Sequence, residues 1–234
     1  MITESLKLEK LNRKEALRYL GYSGEKLDKT IEHLIDICEE KVLTSAKPRY
    51  VYKVCNIMTT ESEINKNHGI MVEGCNLVLT GESIKKHLKG CDMAVLMAVT
   101  LSDSIDRLIR ITQVEDMAKA VIVDSLSSVA VEQVCDKVEH MIRQAYPDKY
   151  QTFRFGIGYG DLSILLQKDF LNALNAPKRI GLNVNASCML TPTKSVTAII
   201  GLSDNPIEKT ARGCQTCNMR EQCNIRQKGG HCNG

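Results

Sequence analysis

The sequence has no tryptophan and only three phenylalanines in 234 residues, so an aromatic platform for stacking single-stranded nucleic acid is not expected. Its formal net charge is only +3, which gives no electrostatic footprint for nucleic acid. Long apolar runs are missing too. The longest, "MAVLMAVTL" at 93–101, is too short to span a bilayer. The opening segment "MITESLKLEKLNRKEALRYL" carries acidic residues early and no apolar block, unlike a signal peptide. A cytoplasmic protein is expected, without nucleic-acid or membrane partners.

What is present is ordinary globular material. Hydrophobic residues make up 43% and charged residues 25%, enough for a substantial core in one large or two small domains. Cysteine is the exception, with ten in the chain. Six are scattered: Cys38, Cys55, Cys75, Cys91, Cys135 and Cys188. They read as reduced thiols, mostly in apolar surroundings, because a chain of this length without an export signal argues against disulfides.

Residues 12–20 predict a short helix with Asn12 as N-cap, and 25–44 a second helix with Leu27, Ile31, Leu34, Ile35 and Cys38 on one face. Strands are predicted at 49–57 and 76–81, and a helix over "ESIKKHLKG" that Gly90 stops. The apolar run at 92–102 predicts a central strand. Ser102 or Asp103 is then expected to cap "SIDRLIRITQ". From Val114 to Gln144 apolar residues recur at three and four, predicting one long helix or two abutting ones. A helix over 161–176 with Asp161 as N-cap follows, then strands at 179–190 and 194–203 joined by a turn at Thr191-Pro192-Thr193. The order lacks a regular βαβα alternation, which favours α+β: a mixed or antiparallel twisted sheet flanked by helices.

Residues 154–160, "RFGIGYG", concentrate three glycines beside a cation and an aromatic ring. The stretch is neither a P-loop nor a dinucleotide fingerprint, since no Lys-Ser/Thr follows and the glycine spacing differs. It fits a backbone that a ligand approaches closely. Arg154 is suited to a carboxylate and Tyr159 to a flat ring or a cation. A glycine-rich turn with a surface arginine explains the same residues equally well.

"RFGIGYGD" followed by a helix, then "NASCMLTPTKSVTAIIGLS", resembles the activation domain of cobalamin-dependent methionine synthase over roughly residues 92–203. The matching elements are Arg154, Gly158-Tyr159, and Pro192-Thr193-Lys194-Ser195-Val196-Thr197. The resemblance implies a stand-alone S-adenosylmethionine-binding component. It would support reductive methylation of cob(II)alamin on a separate methionine synthase or other corrinoid protein, with flavodoxin or ferredoxin as electron donor. It would be a component of that methyltransferase activity, not a complete enzyme. The implied ligand contacts are Glu132, Arg154, Phe155, Gly156, Gly158 and Tyr159, with Glu132 reaching the ligand's ammonium or ribose. Two features depart from the family. The residues after Ser203 do not match its aromatic segment, and no domains for homocysteine, folate or cobalamin are present. The expected division is an N-terminal region 1–90, an activation-domain-like core 91–205 and a tail 206–234.

The tail places Cys214, Cys217, Cys223 and Cys232 within nineteen residues. Cys-x2-Cys is a good bite for one metal or cluster, but the later spacings match neither a common zinc ribbon nor a ferredoxin run. An iron–sulfur cluster and a structural zinc are both allowed, with His231 as a spare ligand. A reading of another class follows from the tail alone: a metal-binding redox or interaction module without S-adenosylmethionine chemistry.

Overall fold

The computed structural model describes residues 1–22, 27–60, 69–207 and 221–222. Strand β1 (Ile2–Ser5) leads to helices α1 (Arg13–Tyr19) and α2 (Lys29–Ser45). Asn12 caps α1 by accepting the Glu15 amide, as expected, and Asp28 caps α2. Strands β2 (Arg49–Thr60), β3 (Gly69–Val72) and β4 (Leu77–Thr80) follow, then α3 (Glu82–His87) and β5 (Met93–Thr100). Helices α4 (Asp103–Glu115) and α5 (Met117–Ala145) come next, then two-residue strands β6 (Tyr150–Gln151) and β7 (Phe155–Gly156). The chain continues through a single 3-10 turn at Ile164–Leu166, α6 (Gln167–Ala173) and α7 (Ala176–Ile180). A small hairpin, β8 (Asn183–Val184) and β9 (Leu190–Thr191), precedes β10 (Ser195–Ser203).

Among the described residues, eight strands form one sheet in the order β4-β3-β2-β5-β10-β6, with β1 also pairing β2 and β7 also pairing β10. Every pairing is antiparallel. The fold is therefore α+β. Strands from both sides of residue 90 share the ladder, since β2 pairs β5 from Arg49↔Thr100 to Asn56↔Met93.

The unbroken apolar run of β5 has a direct cause: helices cover both faces of the sheet. Val95, Met97 and Val99 point into a core with α2, α4 and α5. Ala94, Leu96 and Ala98 point into a second core with α3, α6 and α7. α5 is one helix, and Asp116 caps it by accepting the amides of Ala118 and Lys119. Val123, Leu126, Val134, Val138 and Ile142 lie fully buried along it. Each such side chain contributes about 2 kcal/mol of burial free energy, so α5 is a rigid bar across the sheet.

Three sequence expectations need correction. The segment 161–176 is not one helix capped by Asp161. Ser163 caps the 3-10 turn, and Asp161 accepts the amides of Glu82 and Ser83 at 2.7 and 2.9 Å, capping α3 from outside. α3 needs this because Gly81, at its N-cap, has no side chain. The expected strand 179–190 is instead the end of α7, a turn and the two short strands of the hairpin. Gly181 ends α7 at φ +71, and Ile180 and Leu182 on either side of it are buried in the second core. Ser102 stands at the N-cap of α4 without capping it, because its hydroxyl donates to the Lys47 carbonyl at 2.7 Å. Among the described residues, no helix is long and apolar enough to cross a membrane.

Candidate functional site

Arg154 lies just before β7, which hydrogen-bonds to Ala198 and Ile199 in the middle of β10. That short ladder sets the guanidinium against the side of α5. Nη2 lies 2.8 Å from Asp136 and 3.2 Å from Glu132, and Nη1 lies 3.6 Å from Glu139. The three acids stand at helical spacing on one face of α5. Glu132 and Asp136 open to solvent, whereas the Arg154 side chain is only 9% exposed.

The electrostatics are unbalanced. Arg154 meets three carboxylates and Glu139 also pairs with Arg143 at 3.4 Å, so two cations face three acids and one negative charge is in excess. Burial opposes the arginine's charge, but the neighbouring Cys135 and the carboxylates Asp136, Glu132 and Glu139 outweigh it, so the Arg154 pKa lies above its ordinary value. Burial pushes the Cys135 thiol up. Nη1 is shielded from water and has no hydrogen-bond acceptor among the described residues. A shielded donor of this kind costs stability unless a partner arrives.

The glycine stretch is a pair of turns. Tyr159 N–H donates to the Gly156 carbonyl and Leu162 N–H to the Tyr159 carbonyl, both at 3.1 Å. Gly158 adopts φ +86, and a Cβ there would lie 2.8 Å from Ile164 Cδ1. Gly160 adopts φ +61, and its Cβ would lie 2.5 Å from Ser83 Oγ. These two glycines answer to the fold. Gly156 does not: a Cβ there would meet only the Thr197 carbonyl oxygen, at 3.8 Å. A Cβ at Gly156, two residues from Arg154, would thus make only an ordinary contact.

The aromatic residues divide between core and surface. Phe155 is 4% exposed, with its ring against His87 at 4.9 Å, so its backbone is what faces the β7 edge. Tyr159 packs edge-on against Phe155 at 5.3 Å and stays 40% exposed.

The structure thus brings Arg154 and Glu132 together on the α5 side of the sheet, while Tyr159 packs against Phe155, whose side chain lies in the second core. It adds Asp136 and Glu139, which sequence reasoning did not single out as site residues. Their spacing from Glu132, four and seven positions, was the available signal. A second cation continues the pattern, with Lys194 Nζ 2.8 Å from Asp124 and 2.9 Å from Ser128 Oγ, one to two turns earlier on α5. Cys214, Cys217, Cys223 and Cys232 lie outside the described residues. Among the described residues, no cluster of three or more His, Cys, Asp or Glu is arranged to hold a metal ion.

A scan of the sequence against protein-family models finds no match, and a search of curated proteins finds none. Among solved structures, the MetH reactivation domain bound to AdoHcy is similar, with a TM-score of 0.64 and 14% sequence identity. The match covers 98% of this chain and 86% of that one. At that identity the likeness shows a shared fold.

Proposed function

We propose that this chain binds S-adenosylmethionine beside Arg154 and supports reductive methylation of cob(II)alamin held by a separate methionine synthase or other corrinoid protein. The observation that carries the reading is the contact of Arg154 with Glu132 at 3.2 Å, two residues before Gly156, where a Cβ would meet nothing closer than 3.8 Å. The shared fold with a reactivation domain solved with AdoHcy supports it.

The residues suit a zwitterionic, sulfonium-bearing ligand. Arg154 offers a permanently charged fork to the ligand's carboxylate. The excess carboxylate charge of Glu132 and Asp136 favours the ammonium and the sulfonium. The backbone of 155–158 is placed to read an adenine, with the absence of a side chain at Gly156 allowing close approach. Tyr159 supplies an exposed ring face or edge for the same ligand. Ligand entry exchanges the ion pairs of Arg154 for bonds to the ligand's carboxylate, so binding and release of Glu132 are coupled. The protein's contribution is position and field, while the sulfonium carries the methyl group and flavodoxin or ferredoxin supplies the electron that reduces cobalt. Cys214, Cys217, Cys223 and Cys232 are proposed to hold an iron–sulfur cluster or zinc.

Isothermal calorimetry on the full chain tests the reading. S-Adenosylmethionine and S-adenosylhomocysteine should both bind. Arg154→Ala should weaken both about 10- to 100-fold, the loss of a charged hydrogen bond of about 1.5–3 kcal/mol. Absence of binding by the wild-type chain, or unchanged affinity in Arg154→Ala, contradicts it. Either result would favour the metal-binding redox module.

A further inference from the structure

On the far side of the sheet from α5, three reactive groups meet that the proposed activity does not use. Cys75 lies in the turn between β3 and β4, beside Gly74 at φ +68. Its Sγ accepts a hydrogen bond from Lys53 Nζ at 3.0 Å, and the same ammonium donates to the Gly74 carbonyl at 2.9 Å. Cys55, on β2, places its Sγ 3.9 Å from that of Cys75. Cys55 is 6% exposed and Cys75 is half-buried.

We propose that Cys75, Cys55 and Lys53 form a peroxide-responsive thiol site, in which Cys75 is oxidised first and Cys55 resolves it to a reversible Cys55–Cys75 disulfide. A lysine ammonium in direct contact stabilises a thiolate, the nucleophilic form of cysteine. The Lys53 pKa is raised, chiefly by its hydrogen bond to Cys75, so the ammonium persists at neutral pH. Cys55 is pushed up to about 11, first by burial and then by the neighbouring Cys75. It therefore remains a thiol. The two sulfurs divide the work: the half-buried one meets the oxidant, and the buried one waits behind it.

The chemistry balances with a hydroperoxide as oxidant. The Cys75 thiolate attacks one peroxide oxygen. An S–O bond forms, the O–O bond breaks, and the departing oxygen takes a proton from solvent. Cys55 then loses its proton and attacks the Cys75 sulfur. An S–S bond forms, the S–O bond breaks, and water leaves. The two sulfurs together lose two electrons, and the peroxide gains them. The 3.9 Å gap exceeds a disulfide bond by about 2 Å. Cys75 lies in the turn between β3 and β4, where its N–H donates to the Val72 carbonyl at 3.3 Å, so closing the gap moves a turn rather than a ladder on that side.

Peptide mapping of the intact chain tests the site. Fully reduced protein is treated with dilute hydrogen peroxide, its remaining thiols are blocked with N-ethylmaleimide, and the digest is analysed by mass spectrometry. A Cys55–Cys75 cross-linked peptide that dithiothreitol removes is expected. In Cys55→Ser, dimedone should instead trap a sulfenic acid on Cys75. Lys53→Met should slow Cys75 oxidation about tenfold at neutral pH, and Lys53→Arg should restore it. Complete N-ethylmaleimide labelling of both cysteines after peroxide, or oxidation of Cys75 no faster than that of half-buried Cys188, overturns the proposal. The wild-type map decides this without any variant.

Discussion

Three glycines within five residues look alike in sequence, yet they answer to different demands. Gly158 and Gly160 are fixed by left-handed backbone and by contact with Ile164 and Ser83, whereas Gly156 has neither constraint. This gives a test that separates fold from ligand. Gly158→Ala should destabilise the protein by more than about 1 kcal/mol in a urea melt. Gly156→Ala should change stability by less than about 0.5 kcal/mol, yet weaken S-adenosylmethionine binding about tenfold, because the new methyl occupies the ligand's approach. A Gly156→Ala variant with unaltered affinity would move the ligand away from this backbone. That Arg154 and Glu132 share one site was legible through a family resemblance and not through spacing, because the rest of α5, a turn and β6 lie in the 22 positions from one to the other. Asp136 and Glu139 were legible as a helical stripe only once the direction of Arg154 was known.

At the level of elements, legibility followed how far an element's stabilisation is local. α5 and β5 are written in the sequence because burial repeats along them, at three and four in the helix and on both faces in the strand. β6, β7, β8 and β9 have two residues each, too few to carry a period, and their positions come from partners distant in sequence. Asp161 shows the same limit in one side chain. Its type and setting read as an N-cap, but the helix it caps begins 79 residues earlier. Asp161→Ala should destabilise the protein by about 1 kcal/mol at neutral pH, the cost of a lost cap. The Asp161 carboxyl is held below its ordinary pKa by the amides of Ser83 and Glu82. Its contribution is therefore present above the unfolded value near pH 4 and fades as pH falls through the folded one. Melts of wild type and Asp161→Ala should converge below about pH 4. A gap that persists at low pH would assign the effect to something other than the carboxylate.

Across the whole molecule, one sheet carries two separate chemistries on opposite sides. The α5 side presents fixed charge, the arginine–carboxylate cluster proposed for S-adenosylmethionine. The β3–β4 end presents thiols. The described ladder ends at Ser203 of β10. Removing residues 208–234 should abolish any iron or zinc found by elemental analysis of anaerobically purified protein. Metal retained by the truncated chain would relocate the metal site. The α+β class was legible from the irregular order of elements. The sheet order was not, because β2 joins β5 and β5 joins β10 through edge hydrogen bonds between segments distant in sequence.

The most direct measurement is a crystal structure of the full chain grown with S-adenosylmethionine. The account predicts the ligand's carboxylate within hydrogen-bonding distance of the Arg154 guanidinium, Glu132 turned toward its ammonium or ribose, and its adenine against the backbone of 155–158. Arg154 still paired with Glu132 and Asp136, with the space before Gly156 empty or the ligand bound elsewhere, would contradict it.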